Sequence, residues 1–591
     1  MTNVFSVFEM HDILIKTTES IFSLTSTTGS GKTRCAPFFF AIKTIEDNMT
    51  RPFFIMTQPR FSVIKTKIND IRKLFGDTIQ IITNSNKVIR KYEKYSNNIK
   101  YNFNPKFEKP IFGIFTSRTL LDIIQKVDQM NIDICSITRF CLDEIHERTV
   151  ESEVLSAILS KRINEMISAK HNFPLQILMM SATPDSRVYN CFKNVNRFRL
   201  PSSYLYPIDT IHQQVQNMEE INPAAANQTM KIIERMATKT IDRGHILVFA
   251  SGNYSMNNLI RIICNEFDIN NRFGNTLVKV IKRFDSLFEE ESIEKFYTNL
   301  EKYIEQETRK STFFKDILFI LPVKYLGFVS NEQKEICLNP IPQHPNVIKV
   351  IFATNVIESS VTIQDLIAVV DSGTYINKSF NLNSQYYFTS EEIISIQNQE
   401  QRKGRVGRHR SGIAVQITVE NKPNPVSLPP AILTSNISYN ILSLRRIGYK
   451  IEEIENLPDK INDNDLEKYI SELKSLKALT EETNELTTFG RILVKFDSFY
   501  PLFSASILSI SGYKYSECEM QRIDNFEEKE INEKNLKVIL GCLISLIISN
   551  SSLILNDLSI KLRQYFDKRS DIITLLRTIL DLAQLDKQGI L

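Results

Sequence analysis

The sequence predicts an α/β protein, with two tandem doubly wound parallel-sheet domains followed by a helical C-terminal region. Three observations carry this. From residue 20 to about 200, short apolar runs alternate with longer amphipathic segments, as expected of strands buried on both faces and joined by crossover helices. The alternation resumes after the turn formers of LPSSYLYP, Leu200 to Pro207. Beyond KPNPVSLPP, Lys422 to Pro430, apolar residues switch to helical spacing.

In the first half, IFSLTS, PFFIMT, ITRFCLDE and LQILMMSAT read as buried parallel strands and the segments after them as helices. In the second, GHILVFASG, DILFILPV, VIKVIFATN and LIAVVDSG repeat the architecture, and a polar helical stretch at about 270–316 reads as an insertion. LEKYISELKSLKAL then reads as a helix and NELTTFGRIL as a strand or wing. The tail from Tyr513 alternates charged and apolar helical stretches. The boundaries expected are 1–203, 204–425, 426–495 and 496–591.

A chain of 591 residues has ample apolar content for several cores. Its 72 Lys+Arg against 68 Asp+Glu leave a net charge of +4, which excludes a histone-like polycation but permits local basic surfaces. The eight cysteines include no CxxC pair, so neither a disulfide framework nor a zinc ribbon is expected, and a reducing compartment fits. The N-terminus meets charge too early for a signal peptide. The longest apolar run, Val538 to Ile548, is shorter than the ~20 residues that span a bilayer. The expectation is a soluble, cytoplasmic, monomeric protein with no membrane partner.

Two stretches carry chemistry together. STTGSGKT, Ser26 to Thr33, sits between a strand and a helix, the setting of a phosphate-binding loop. Gly29 and Gly31 let backbone N–H groups of Ser26, Thr27, Thr28 and Ser30 close around phosphate oxygens. Lys32 supplies a point charge, and the Thr33 hydroxyl suits magnesium. Ser26 stands where such loops usually begin with glycine. CLDEIHER, Cys141 to Arg148, bunches acids at the end of an apolar run. Alone it fits a solvated turn, a metal cluster or an active site. With the loop upstream, Asp143 suits the metal and Glu144 the attacking water, at the sheet edge where ligands of open α/β sheets gather. Cys141 and His146 lack spaced partners for zinc. In QRKGRVGR, Gln401 to Arg408, glycines flank arginines three apart; a basic solvated loop is the plain reading. The sharper one is that Arg405 and Arg408 reach a triphosphate held by the other domain, an effect worth about 10³–10⁵ in rate in comparable enzymes.

These segments occur in order with TQPR (Thr57 to Arg60), SAT (Ser181 to Thr183) and ATNVIESSVTI (Ala353 to Ile363). The set resembles superfamily 2 helicases of the DExH type, most like the poxviral nucleoside triphosphate phosphohydrolase II group, with cellular DEAH-box RNA helicases next. The resemblance covers about residues 24 to 510. It implies two RecA-like domains, a winged-helix domain over 426–495 and the start of a ratchet domain over 496–591. It implies ATP, or any nucleoside triphosphate, with Mg²⁺; single-stranded and duplex RNA, with DNA second; and 3′-to-5′ travel in viral transcription, including packaging in the virion. Position by position, Ser26 to Thr33 should bind phosphates, and Thr33, Asp143 and Glu144 the metal. His146 should link the acids to Gln401, and Gln401, Arg405 and Arg408 should contact the γ-phosphate. Arg60, Thr116, Ser251 and Thr354 should hold the nucleic-acid backbone, and Ser181 and Thr183 should couple hydrolysis to movement. Residues 371–390 fall where such enzymes carry a strand-separating hairpin; its aromatics suit a hairpin core or a base-stacking wedge.

The chain departs from these relatives in three ways. Only about 25 residues precede the loop, which leaves the viral N-terminal domain absent or abbreviated, and the tail leaves little room for an OB-fold. Cys337 stands where DEAH-box proteins carry a base-stacking Phe, so weak discrimination among nucleoside triphosphates is expected. The same motifs would also serve a nucleic-acid-stimulated NTPase that remodels ribonucleoprotein without unwinding, or a nucleotide-binding scaffold without turnover.

Overall fold

Strand pairing divides the chain into two parallel sheets. The computed structural model describes residues 4–16, 20–26, 32–46, 53–59, 111–129, 139–168, 176–182, 186–200 and most of 206–494, with isolated positions elsewhere. The first sheet comprises β1 (Ile21–Thr25), β2 (Phe53–Gln58), β3 (Gln80–Thr83), β4 (Ile111–Thr116), β5 (Arg139–Leu142), β6 (Gln176–Ser181) and β7 (Asn196–Arg199). The order is β3-β4-β2-β5-β6-β1-β7, parallel throughout. Its central strands β1, β5 and β6 are buried along their whole length, hence their unbroken apolar spelling.

The second sheet comprises β8 (Ile208–Val215), β9 (His245–Phe249), β10 (Arg272–Phe273), β11 (Thr276–Val280), β12 (Asp316–Tyr325), β13 (Val347–Ala353), β14 (Leu366–Asp371) and, after a hairpin, β17 (Gly412–Val419). The order is β10-β11-β12-β13-β9-β14-β17-β8, with only the short β10–β11 pair antiparallel. The hairpin pairs β15 (Thr374–Asn381) with β16 (Tyr386–Ile393) as a separate two-stranded sheet.

Three sequence expectations need correction. The second sheet does not begin with GHILVFASG: β8 precedes it as an edge strand whose burial alternates irregularly, so it carries no continuous apolar run. The stretch 270–316 is not simply an insertion. Its residues Thr276–Val280 pair in parallel with β12, and helix Ile293–Arg309 is the crossover between the two strands. Finally, TFGRIL in NELTTFGRIL is helical, over Thr488–Leu493, with Thr487 capping it through Gly490 N–H. Only a single bridge, Leu479 to Leu486, remains of the strand expected there.

Packing ignores the linear order. Helix Val150–Ser168 of the first half and the helices Ser438–Arg446, Asp463–Ser475 and Thr488–Leu493 share one core, in which Leu155 and Leu159 join Leu442, Leu444 and Leu473. The other face of the first sheet has its own core beneath helices Val4–Lys16 and Lys32–Glu46. The second sheet is covered on each face by a separate cluster. The expected segment 496–591 lies outside the described residues apart from positions 501, 504 and 505. Among the described residues no helix is long and apolar enough to cross a membrane.

Candidate active site

Parallel pairing sets the first wall of the site. In the order β2-β5-β6-β1, the residues at the C-terminal strand ends are Gln58, Asp143, Ser181 and Ser26, side by side along one edge. Lys32, the first residue of the helix after β1, is 4% exposed, and its Nζ donates to the Ser26 carbonyl at 3.2 Å. Burial pushes its ammonium down in pKa, while Glu144 and then Asp143 hold it up. Both acids are therefore close enough to act on this lysine. Thr27, Thr28, Gly29, Ser30 and Gly31 lie outside the described residues, as do Arg60, Thr183 and the side chain of Thr33.

The acids are held rigidly. Gln58 Nε2 donates to Asp143 Oδ2 at 2.9 Å, and the Glu144 amide donates to Asp143 Oδ1 at 3.0 Å. Glu144 has left-handed backbone, φ 51°, and so has Arg148, φ 49°, at the far end of the same short turn. Non-glycine residues are strained there, by ~1–3 kcal/mol each, and such strain persists only where surrounding contacts fix it. The His146 ring departs from expectation. Its Nδ1 accepts from Ala182 N–H at 3.3 Å and lies 3.4 Å from Glu144 Oε2. No bond to Gln401 is made among the described residues; the turn after β5 lies against the end of β6, which turns the ring toward the SAT segment.

The second wall is helix Ile396–Lys403 and the turn after it. Ser395 caps the helix through Asn398 N–H. Gly407, φ 72°, favours glycine: any side chain is strained at that backbone angle, and a Cβ would also meet Ile208 Cγ1 at 2.8 Å and the Tyr206 carbonyl oxygen at 3.0 Å. Gln401 and Arg405 are buried, and Arg408 is partly so. Arg405 Nε donates to the Gln401 carbonyl and Arg408 Nε to the Gly404 carbonyl, at 3.5 and 3.0 Å. Burial lowers Arg405 to about 10 while Glu144 and Glu358 oppose it. Burial, then the Arg405 charge, pushes Arg408 well down, and again Glu144 opposes. One carboxylate of the first sheet thus acts on both arginines of the second.

Two residues of this machinery have no role assigned from the sequence. Gln58 sits inside the quoted TQPR, where only Arg60 is singled out. Arg402 adjoins Gln401 and is 0% exposed. It donates to Glu358 Oε2 (3.1 Å), Asp371 Oδ1 (2.5 Å) and the Thr374 carbonyl (3.3 Å), also bonds Asn355, and stacks over Phe249 at 4.6 Å. That network fixes the helix carrying Gln401. The glycine-arginine spelling gives a cue to the basic run but not to which arginine turns inward.

The remaining candidates sit at strand ends. Ser251 follows β9 and Thr354 follows β13, neighbouring strands joined there by Ala250 N–H to the Ala353 carbonyl at 2.9 Å. Thr116 ends β4 beside Gln58, and its hydroxyl accepts from Thr119 N–H at 3.2 Å. Cys337 is 1% exposed beneath β12, its Sγ 3.7 Å from the Lys324 carbonyl, so it presents no surface to a base. In the hairpin, Tyr387 packs on Phe380, rings 5.1 Å apart, whereas Phe388 is 53% exposed.

The donor set fits a magnesium–triphosphate. Glu144 raises all three cations, Lys32, Arg405 and Arg408, Asp143 raises Lys32 as well, and the Arg405 charge lowers Arg408 in a way a polyanion between the arginines would relieve. Asp143 is oriented by two donors, as metal-holding carboxylates are. Among the described residues no cluster of three His, Cys, Asp or Glu could hold a metal on its own.

The two parallel sheets are consistent with tandem RecA-like domains. Residues 8–191 match the model of the DEAD/DEAH box helicase family. It is 24% identical over 502 residues to the ATP-dependent RNA helicase DHX33 of Drosophila melanogaster, covering 83% of this chain and 60% of that protein. It is 23% identical over 386 residues to the rat ATP-dependent DNA/RNA helicase DHX36, covering 61% and 37%. The structure superposes on the Escherichia coli DEAH/RHA helicase HrpB with a TM-score of 0.61 at 16% identity, covering 98% of this chain and 60% of HrpB. The chain thus spans about a third to three-fifths of the lengths of these relatives.

Proposed function

We propose that the chain is an NTP-dependent RNA helicase of the DExH type, which hydrolyses ATP with Mg²⁺ and moves 3′ to 5′ along single-stranded nucleic acid. The observation that supports this most is the action of Glu144 on Lys32 in its own sheet and on Arg405 and Arg408 in the other. In this reading the loop Ser26 to Thr33 cradles the phosphates, and Lys32 offsets their charge. Thr33 and Asp143, the latter fixed by Gln58, would hold Mg²⁺, which supplies charge neutralisation at the phosphates. Glu144 polarises the attacking water. Gln401, Arg405 and Arg408 meet the γ-phosphate from the opposite wall, so closure of the two sheets is required for turnover. His146, bonded to the Ala182 amide, connects Glu144 to Ser181 and Thr183, which relay reopening. Arg60, Thr116, Ser251 and Thr354 would hold the strand by its backbone, giving loose sequence preference and salt-sensitive binding. The names of the relatives above support RNA, with DNA as a second substrate.

Placement nearest the poxviral group, with viral transcription as the process served, rests on motif spelling. Cys337 offers a base no ring, so comparable turnover of ATP, GTP, CTP and UTP is expected; strict ATP dependence would refute it. The decisive experiment measures phosphate release with and without RNA or DNA, alongside displacement of tailed duplexes of both polarities. Stimulated hydrolysis without displacement would instead indicate a remodelling NTPase. Glu144→Gln should abolish phosphate release while sparing nucleotide binding, and unchanged release would end the assignment.

A further inference from the structure

The strained turn that carries Glu144 is closed by a residue the mechanism above does not use. Arg148, 4% exposed and left-handed, ends the turn. Its Nε donates to Glu153 Oε1 at 2.6 Å, and a terminal nitrogen bonds Asp459 Oδ2, 311 residues away in the C-terminal helical module. Its carbonyl accepts from the Ala431 amide of the same module at 3.1 Å. Asp459 is itself positioned, because Asn190 Nδ2 donates to the adjoining Pro458 carbonyl at 3.2 Å. The module therefore grips both the backbone and the side chain of the residue that terminates the catalytic turn.

A second set of contacts reaches the module from the other sheet. The Tyr387 hydroxyl of the hairpin accepts from the Asn436 amide at 3.1 Å, and Lys468 Nζ donates to Asn383 at the hairpin tip at 3.1 Å. Phe380 and Leu382 pack on the core that the module shares with helix Val150–Ser168. One body thus touches the hairpin at one end and the turn that carries Glu144 at the other.

We infer that Asp459 is a positioning residue: through Arg148 it holds Glu144 in its left-handed, catalytically aimed conformation. The inference rests on the reading of Glu144 as the group that orients the attacking water. A left-handed Glu144 and a left-handed Arg148 both relax toward ordinary backbone unless something opposes it. The ion pair and the Ala431 bond provide that opposition at one end, and the amide bond to Asp143 provides it at the other. A displacement of about 1 Å at a positioned group costs up to ~100-fold in rate.

The test is Asp459→Asn in the full chain, with Asp459→Glu beside it. For Asp459→Asn, the dissociation constant of a fluorescent ATP analogue should stay within about twofold and kcat, with and without RNA, should fall about tenfold. Asp459→Glu should return to within about threefold of the parent. Amide hydrogen exchange across residues 144–148 should quicken about tenfold in Asp459→Asn. Wild-type kcat with wild-type exchange would overturn the inference. So would an unchanged kcat with a raised KM, or a loss that Asp459→Glu shares in full. If Asp459→Asn does not fold, Asn190→Ala, which only loosens Pro458, should give the same pattern at about threefold; normal kcat and exchange there would be equally fatal. A parent chain that hydrolyses nothing would defeat the proposed function, while the exchange measurement would still decide whether Asp459 holds the turn.

Discussion

Gln58 illustrates how a neutral side chain governs a charged one. It is fully buried at the end of β2 and its amide fixes Asp143 Oδ2. Residues in that position typically matter by 10–100-fold once their donor is lost. Gln58→Leu should therefore lower kcat about tenfold with nucleotide affinity within about threefold; phosphate-release kinetics check this, and an unaltered kcat would show the amide to be dispensable. Arg402 is the structural counterpart. Glu358, pushed up in pKa by burial, is opposed first by the Arg402 charge, so the pair is mutually dependent. Arg402→Ala would leave Glu358 and Asp371 buried beside each other, a kind of change that costs about 3–5 kcal/mol. A clearly lowered unfolding midpoint in urea is expected. The acids, Lys32 and the two outer arginines could be singled out from the sequence, because glycine and charge at motif spacing leave a local signature. It gave no role to Gln58 or Arg402, since nothing local marks a polar residue as inward-facing.

At the scale of the element, β9 carries a titratable group at its buried start. His245 is 3% exposed, its Nδ1 accepts from Lys349 N–H at 3.1 Å, and burial, then Lys349 and Arg410, lowers it to about 3 from 6.5. Between those values the unfolded chain binds a proton that the folded chain refuses. This contribution is therefore fully present above pH 6.5 and is lost as pH falls toward 3, by at most about 1.4 kcal/mol per unit. His245→Gln should flatten the difference in urea midpoint between pH 5 and pH 7 relative to the parent; an identical slope would contradict the assignment. Elements such as β9 were legible because burial on both faces demands an unbroken apolar run. β8 and β11 were not. An edge strand half in solvent and a five-residue strand containing Thr276 and Lys279 lack that run, and only their neighbours make them strands.

At the scale of the whole molecule, the chain builds two parallel sheets, and a third body of helices is fused to the first of them. The tandem architecture could be read from the repeated alternation. The fusion could not: Tyr449 bonds the Ala157 carbonyl across 292 residues, and contacts of that range have no sequence period. Lys161 and Glu453, paired at 2.8 Å, repeat the point at the surface of the same joint.

That joint bears on how the polypeptide can be divided. Helix Val150–Ser168 and the C-terminal helices share one oily core, in which Val154, Leu155, Ile158 and Leu159 are interred together with Leu442, Leu444 and Leu473. A chain cut after Pro430 would keep every motif of both sheets yet bare part of this core to water. Apolar surface costs ~25 cal/mol per Å² when exposed, so such a fragment should clump or demand detergent. Light scattering of the truncated polypeptide against the intact one would tell, and a monodisperse, soluble fragment would mean that the helices are an ornament rather than half of the hull.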